Sequence, residues 1–286
     1  MKENPLTRSD AGIHAALAAA FLYSVATGMA KFALADFHLL QVLFFRQIVV
    51  LLASSPTILR SLPQMCHPDR PRLQMLRLIA GFCALSLSLW AVAKLPLATA
   101  TVLMFTQVFF AILIGKWVLK EQVSLARLVL VGFGFLGVVI VLNPQGNSFA
   151  NVFVLVPMAA ALSAAIAGAS VRHLSQTNST GLLLAYQALF VGVLSGISMF
   201  WLWKTPDLQQ LIFLFSIGVF STIGQWLGVR ALRLADISLI AGVENTKLIY
   251  AVLIGLLVFG EMPDAREMVG SLIIAIAAYM SVVKRR

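Results

Sequence analysis

Charge is scarce in this chain. Only 11% of its 286 residues are Asp, Glu, Lys or Arg, against about 25% in a soluble domain. Acid is scarcer still: 11 carboxylates stand against 21 Lys and Arg, for a net charge of +10. Cysteine is nearly absent. Cys66 falls in a polar stretch and Cys83 in an apolar one, which argues against a disulfide framework. The histidines His14, His38, His67 and His173 are scattered, with no H-E-x-x-H pattern and no Cys/His cluster for zinc. A G-x-x-x-x-G-K-[ST] phosphate loop is missing, so the chain does not itself hydrolyse ATP, and no G-x-S-x-G elbow is found. The basic balance comes without a Lys/Arg run or an aromatic-basic motif, which speaks against nucleic acid as a partner. These absences imply no cofactor and no metal, and they point away from an enzyme.

Apolar sequence is abundant instead. Hydrophobic residues make up 60% of the chain, and the mean hydropathy is +0.94. A bilayer core takes about 20 apolar residues per helix, and the length allows ten such spans joined by short connections. They read as Ile13–Ala33, Leu39–Ile58, Leu76–Ala93, a fourth from Leu97 to Leu119, Leu125–Leu142, Val152–Val171, Gly181–Trp203, Leu211–Val229, a ninth ending at Phe259, and Ala265–Val283. Lipid cannot satisfy free backbone groups, so each span is predicted to be helical and the fold class all-α. Asn143-Pro-Gln-Gly-Asn-Ser148 is a breaker. It divides the chain into residues 1–147 and 148–286, five spans each.

The two halves carry a repeat. Ala111-Ile-Leu-Ile-Gly-Lys-Trp-Val-Leu-Lys-Glu121 aligns with Ala251-Val-Leu-Ile-Gly-Leu-Leu-Val-Phe-Gly-Glu261 at an offset of 140, with six of 11 positions identical. Five is an odd number, so the second half must enter the membrane upside down. With the N terminus inside, 15 Lys and Arg fall on the cytoplasmic side, Lys31, Lys94, Lys204 and Arg266 on the other, and Arg46 and Lys247 within spans. That asymmetry predicts both termini in the cytoplasm. The basic residues Lys116, Lys120 and Arg127 after span four have no counterpart after span nine except Arg266, as an inverted repeat requires.

Arg46, Glu244 and Lys247 lie near the middle of spans. An ion facing lipid there costs about 2.5–3.5 kcal/mol on insertion scales, so these side chains must face protein or a wet cavity. Glu244 and Lys247 share a helix face. Two readings stand: a structural ion pair with Arg46 capped by carbonyls, or a charged lining along a substrate path. The offset of 140 pairs Gln107 with Lys247 and Thr106 with Thr246, and an offset of 141 pairs Arg46 with Gln187 and Lys31 with Arg172. Polar groups at matching depth in both halves favour a midplane site. The substrate-binding candidates are Arg46, Trp90, Phe105, Gln107, Gln225, Glu244, Lys247 and Tyr250, with Tyr23, Tyr186 and Trp226 as further aromatics nearby.

The chain resembles the EamA-type members of the drug/metabolite transporter superfamily. Arg46, Leu95-Pro-Leu-Ala-Thr-Ala100, Glu121 and the segment Ala251–Pro263 carry the likeness, which covers essentially the whole length as two repeats. It implies a ten-helix carrier with inverted five-helix repeats and a central cavity, in the cell inner membrane. Such carriers move amino acids, amines, riboflavin, S-adenosylmethionine, nucleotide-like metabolites or drugs. Many relatives have proline where Gln107 stands, which implies a straighter fourth helix here. The expected function is secondary transport of a small metabolite by alternating access. Arg46 and Lys247 against Glu244 leave one positive charge and predict a carboxylate-bearing substrate, with Glu244 as the proton carrier if protons are coupled. An integral membrane enzyme or a non-transporting sensor is the alternative of another class. Direction of transport and a homodimer stay open.

Overall fold

In the computed structural model, residues 5–66, 70–118, 120, 123–142, 153, 155–174, 177–234, 243, 246–262 and 264–283 are described. They form eleven helices and, among the described residues, no strand. In order these are α1 (Pro5–Ala33), α2 (Leu39–Cys66), α3 (Pro71–Lys94), α4 (Leu97–Met104), α5 (Thr106–Trp117), α6 (Leu125–Leu142), α7 (Leu155–Leu174), α8 (Thr180–Leu202), α9 (Leu208–Leu234), α10 (Thr246–Phe259) and α11 (Ala265–Val283). The pair α4–α5 makes one interrupted span, Leu97–Trp117, so the elements number ten spans, as the apolar runs require. The division at residues 147 and 148 falls outside the described residues.

The packing has the symmetry of a duplicated chain. Spans one and eight pack together (α1 on α9), and so do their mates five spans on, six and three (α7 on α3). Spans two and seven pair (α2 on α8), as do five and ten (α6 on α11) and four and nine (α4 on α10). Span four rests on span six through α5, and its mate, span nine, rests on span one. Exchanging the halves leaves this scheme unchanged, while successive spans alternate in direction, so α1 and its mate α7 run oppositely.

Glycines set the closest crossings. A Cβ on Gly270 of α11 would lie 2.7 Å from the Gly137 carbonyl oxygen of α6, and one on Gly137 would lie 2.9 Å from the Gly270 oxygen. Neither backbone can give way cheaply, because each helix is held by its own hydrogen bonds. In this setting Gly270→Val is expected to push α6 and α11 apart and cost about 1–3 kcal/mol, the usual range for overpacking. A melting temperature unchanged from that of the wild-type protein would show that the crossing is loose.

Several helices run further than the sequence suggests; α1 begins at Pro5 and not near Ile13, and α9 covers Leu208–Leu234 and not Leu211–Val229. The second continues eight residues beyond Ile58, through Pro56 and Pro63, to Cys66. Pro56 lacks the N–H that would bond Leu52, but the Ser55 hydroxyl donates to that carbonyl at 2.7 Å and repairs the turn. The third starts at Pro71 rather than near Leu76, with proline in its first turn, where the missing donor costs nothing. Arg77, at the edge of the expected span and counted with the cytoplasmic charges, lies in the second turn of this helix and is 3% exposed. The charge asymmetry keeps its sign after one of the fifteen is removed.

The fourth span is not straighter for lacking proline. It is interrupted at Phe105, between α4 and α5. Phe105 N–H bonds Val102 O and Val108 N–H bonds Phe105 O, each at 3.0 Å and three residues apart, while the Thr106 hydroxyl donates to Leu103 O at 2.6 Å. A hydroxyl bonding back to the preceding turn competes with the helix ladder and bends it. Its repeat mate Thr246 makes the same bond to Val243 O at 2.7 Å, at the start of α10. Thr106 and Thr246 thus make the same back-bond at matching positions in the two halves.

Candidate functional site

The spans border connected cavities whose shared lining residues include Tyr23, Arg46 and Gln225. The largest, about 540 Å³, lies among α1, α4, α5, α9 and α10, and is lined by Tyr23, Phe105, Gln107, Gln225 and Lys247 among others. That volume suits a small metabolite. A second, about 210 Å³, is lined by Tyr23, Arg46, Gln47, Gln187 and Gln225. A third, about 90 Å³, continues past Arg46 and Tyr23 toward Ala30, Val42 and Ile217. Beyond Gln225 the lining runs on through Thr222 and Trp226 to Arg230, in a space of about 510 Å³ bounded by Thr57 and Gly181. No described residue lining these spaces is acidic.

Helix geometry explains why the polar groups converge. Tyr23 sits on the face of α1 that meets α9 and α10. Lys247, in the first turn of α10, holds its Nζ 5.3 Å from the centre of the Tyr23 ring, a cation–π distance. Ser24, next to Tyr23, is buried and donates to Ala20 O at 2.9 Å and to Lys247 O at 3.4 Å, tying α1 to α10. Gly218 of α9 lets α2 approach: a Cβ there would lie 2.6 Å from Val49 Cγ2 and 3.3 Å from Arg46 Cα. The small residue thus sets the depth at which Arg46 reaches inward.

The expected residues divide three ways. Arg46, Phe105, Gln107, Gln225 and Lys247 line the connected cavities. Trp90 and Tyr250 are not among the lining residues. Trp90 is 39% exposed and packs edge-on against Phe153 at 6.4 Å, and Tyr250 packs edge-on against Phe21 at 5.5 Å. Glu244 lies outside the described residues. Of the further aromatics, Tyr23 lines three of the cavities, Trp226 stacks 5.5 Å from the Arg230 guanidinium, and Tyr186 donates to Met65 O at 3.0 Å.

Three groups were not singled out in the sequence. Arg77 donates through Nη2 to Leu183 O at 2.9 Å and to Gln187 Oε1 at 3.3 Å, so it stands one residue behind the cavity wall. Its Nε and Nη1 are buried without a hydrogen-bond partner. The second group closes the face formed by residues 34–38, 95–96, 203–207 and 260–262. There Lys31 pairs with Glu261 and donates to Leu95 O at 2.7 Å, and Glu261 Oε2 accepts from Leu97 N–H at 2.7 Å. The third, on the same face, joins α2 to the segment before α9. Gln41 is fully buried; its Nε2 donates to Lys204 O at 2.6 Å and its Oε1 accepts from Lys204 N–H at 3.1 Å.

A cavity lined by cations at membrane depth, in a duplicated all-helical bundle, defines a multi-pass membrane carrier. The profile of the EamA-like transporter family matches residues 10–143 and again residues 151–283. The chain belongs to that family, within the drug/metabolite transporter superfamily. It is 30% identical to a riboflavin transporter of Vibrio cholerae over 97% of its own length and 93% of that protein's. It is 26% identical to an S-adenosylmethionine uptake transporter of Rickettsia bellii, covering 86% of this chain and 84% of the relative. A pseudopaline exporter of Pseudomonas aeruginosa is 28% identical, covering 93% and 94%. A solved crystal structure at 14% identity superposes over 94% of this chain and 95% of its own, with a TM-score of 0.63, and so shares the fold.

Proposed function

We propose that the protein is a secondary active transporter that moves a small carboxylate-bearing metabolite across the inner membrane by alternating access, with both termini in the cytoplasm. The single observation that supports this best is the chemistry of the connected cavities: Arg46 and Lys247 beside the Tyr23 ring, amides at Gln107 and Gln225, and no acid among the described lining residues. An anion gains from two fixed cations in a water-poor site, where their attraction is weakly screened. An aromatic wall suits an apolar or planar portion of the same molecule.

A second reading is uptake of a cofactor-like metabolite, favoured by the riboflavin transporter of Vibrio cholerae at 30% identity. Tyr23 and Phe105 offer ring surfaces for a planar neutral compound. The same cavity suits S-adenosylmethionine less, because its sulfonium would face Arg46 and Lys247. Counterflow in liposomes separates these readings. Labelled carboxylates are expected to exchange saturably, and exchange confined to neutral or cationic compounds would overturn the proposal. If protons drive the cycle, Glu244 is their carrier. The Glu244→Gln protein is then expected to keep exchange and lose accumulation driven by a pH gradient, and full gradient-driven uptake would remove that role.

A further inference from the structure

Two pairs of repeat mates line the central space. Gln107 and Lys247, 140 residues apart, line one cavity together. Arg46 and Gln187, 141 apart, line another. Each pair combines one cation with one carboxamide, and each pair takes one member from each half. Tyr23 and Gln225 line both cavities and so lie between the pairs.

The amide of Gln187 is not free to turn. Arg77 Nη2 donates to its Oε1 at 3.3 Å, which leaves the Nε2 hydrogens as the group it can offer a ligand. Arg77 itself adds positive charge directly behind that amide, with Nε and Nη1 unpartnered. A cation beside an N–H donor matches the two oxygens of a carboxylate, one oxygen to each. A duplicated chain supplies that combination twice.

We propose that these two pairs are the two ends of one binding site, which takes a two-headed anion: a compound with a carboxylate at each end and an apolar middle against Tyr23. Arg77 is the positioning residue that fixes Gln187 as a donor. This rests on the transporter reading for its purpose, but it is tested by binding alone. Purified full-length protein in nanodiscs is titrated calorimetrically with straight-chain α,ω-dicarboxylates of increasing length, and with monocarboxylates of the same lengths. At one length the dicarboxylate is expected to bind about tenfold more tightly than its single-headed counterpart, the worth of one extra charge-assisted contact.

Gln187→Leu and Lys247→Met are each expected to remove that advantage, so that within the variant the dicarboxylate and the monocarboxylate of the same length bind within about threefold of each other. No preferred length, no binding of either series, or variants that keep the preference would each overturn the two-ended site. The wild-type length series decides the matter even where a variant fails to fold. Saturable exchange of a labelled monocarboxylate in liposomes, without any two-headed preference, would leave transport standing and remove this proposal alone.

Discussion

Arg46→Met protein, reconstituted in liposomes, is expected to insert and fold but to lose between about tenfold and a hundredfold of its apparent affinity for the transported anion. The range follows from the contact removed: a hydrogen bond to a charged group is worth about 1.5–3 kcal/mol, and each 1.4 kcal/mol is tenfold. Methionine keeps much of the side-chain length and adds no ion that needs a partner. Arg46 borders two of the cavities, so the loss is expected in substrate affinity and in flux together. Gly218 supports the same residue from behind, with its missing side chain facing Val49 and Arg46. Wild-type uptake by Arg46→Met would return Arg46 to the structural reading that its sequence position also permits.

The second large effect is expected at Glu261. Its carboxylate holds Lys31 of α1 with one oxygen and the backbone N–H of Leu97, at the start of α4, with the other. Both side chains are shielded, at 13% and 21% exposure. Glu261→Ala strands the lysine and the Leu97 donor together, and losing one member of a shielded ion pair costs about 3–5 kcal/mol. Replacing both members is far milder, because no uncompensated charge remains. Lys31→Met with Glu261→Gln is therefore expected to recover most of the stability lost by Glu261→Ala, measured by thermal unfolding in detergent. A double variant as unstable as the single one would overturn this account, because the glutamine still offers Leu97 N–H an acceptor and no unpaired charge remains.

Much of the fold was legible because lipid leaves few alternatives. Apolar runs separated by Pro, Asn and Gly gave the spans, and α6 and α11 begin and end where their runs do. Arg46 and Lys247 stood out because charge is rare inside such runs. Arg77 did not, since the Pro71 that precedes it reads equally well as a loop breaker or as the first turn of a helix. Phe105 marks an interruption that no proline announces; it comes from a threonine hydroxyl bonded to the turn before it. Tyr23 was one aromatic among several; both it and Tyr250 sit at the α1–α10 contact, and only the cavity lining distinguishes them. The bond from Lys31 to Glu261 joins residues 230 apart, and no local pattern in either helix indicates the partner.

The turn at Phe105 divides the mechanical duties of a single span. Above it, α4 is anchored to α10 and, through Glu261, to α1; below it, α5 is seated on α7. A twist in the lower segment need not be transmitted to the anchored one, because the joint between them is a tightened turn in place of a continuous ladder. The joint thus separates a segment held to α1 and α10 from one held to α7.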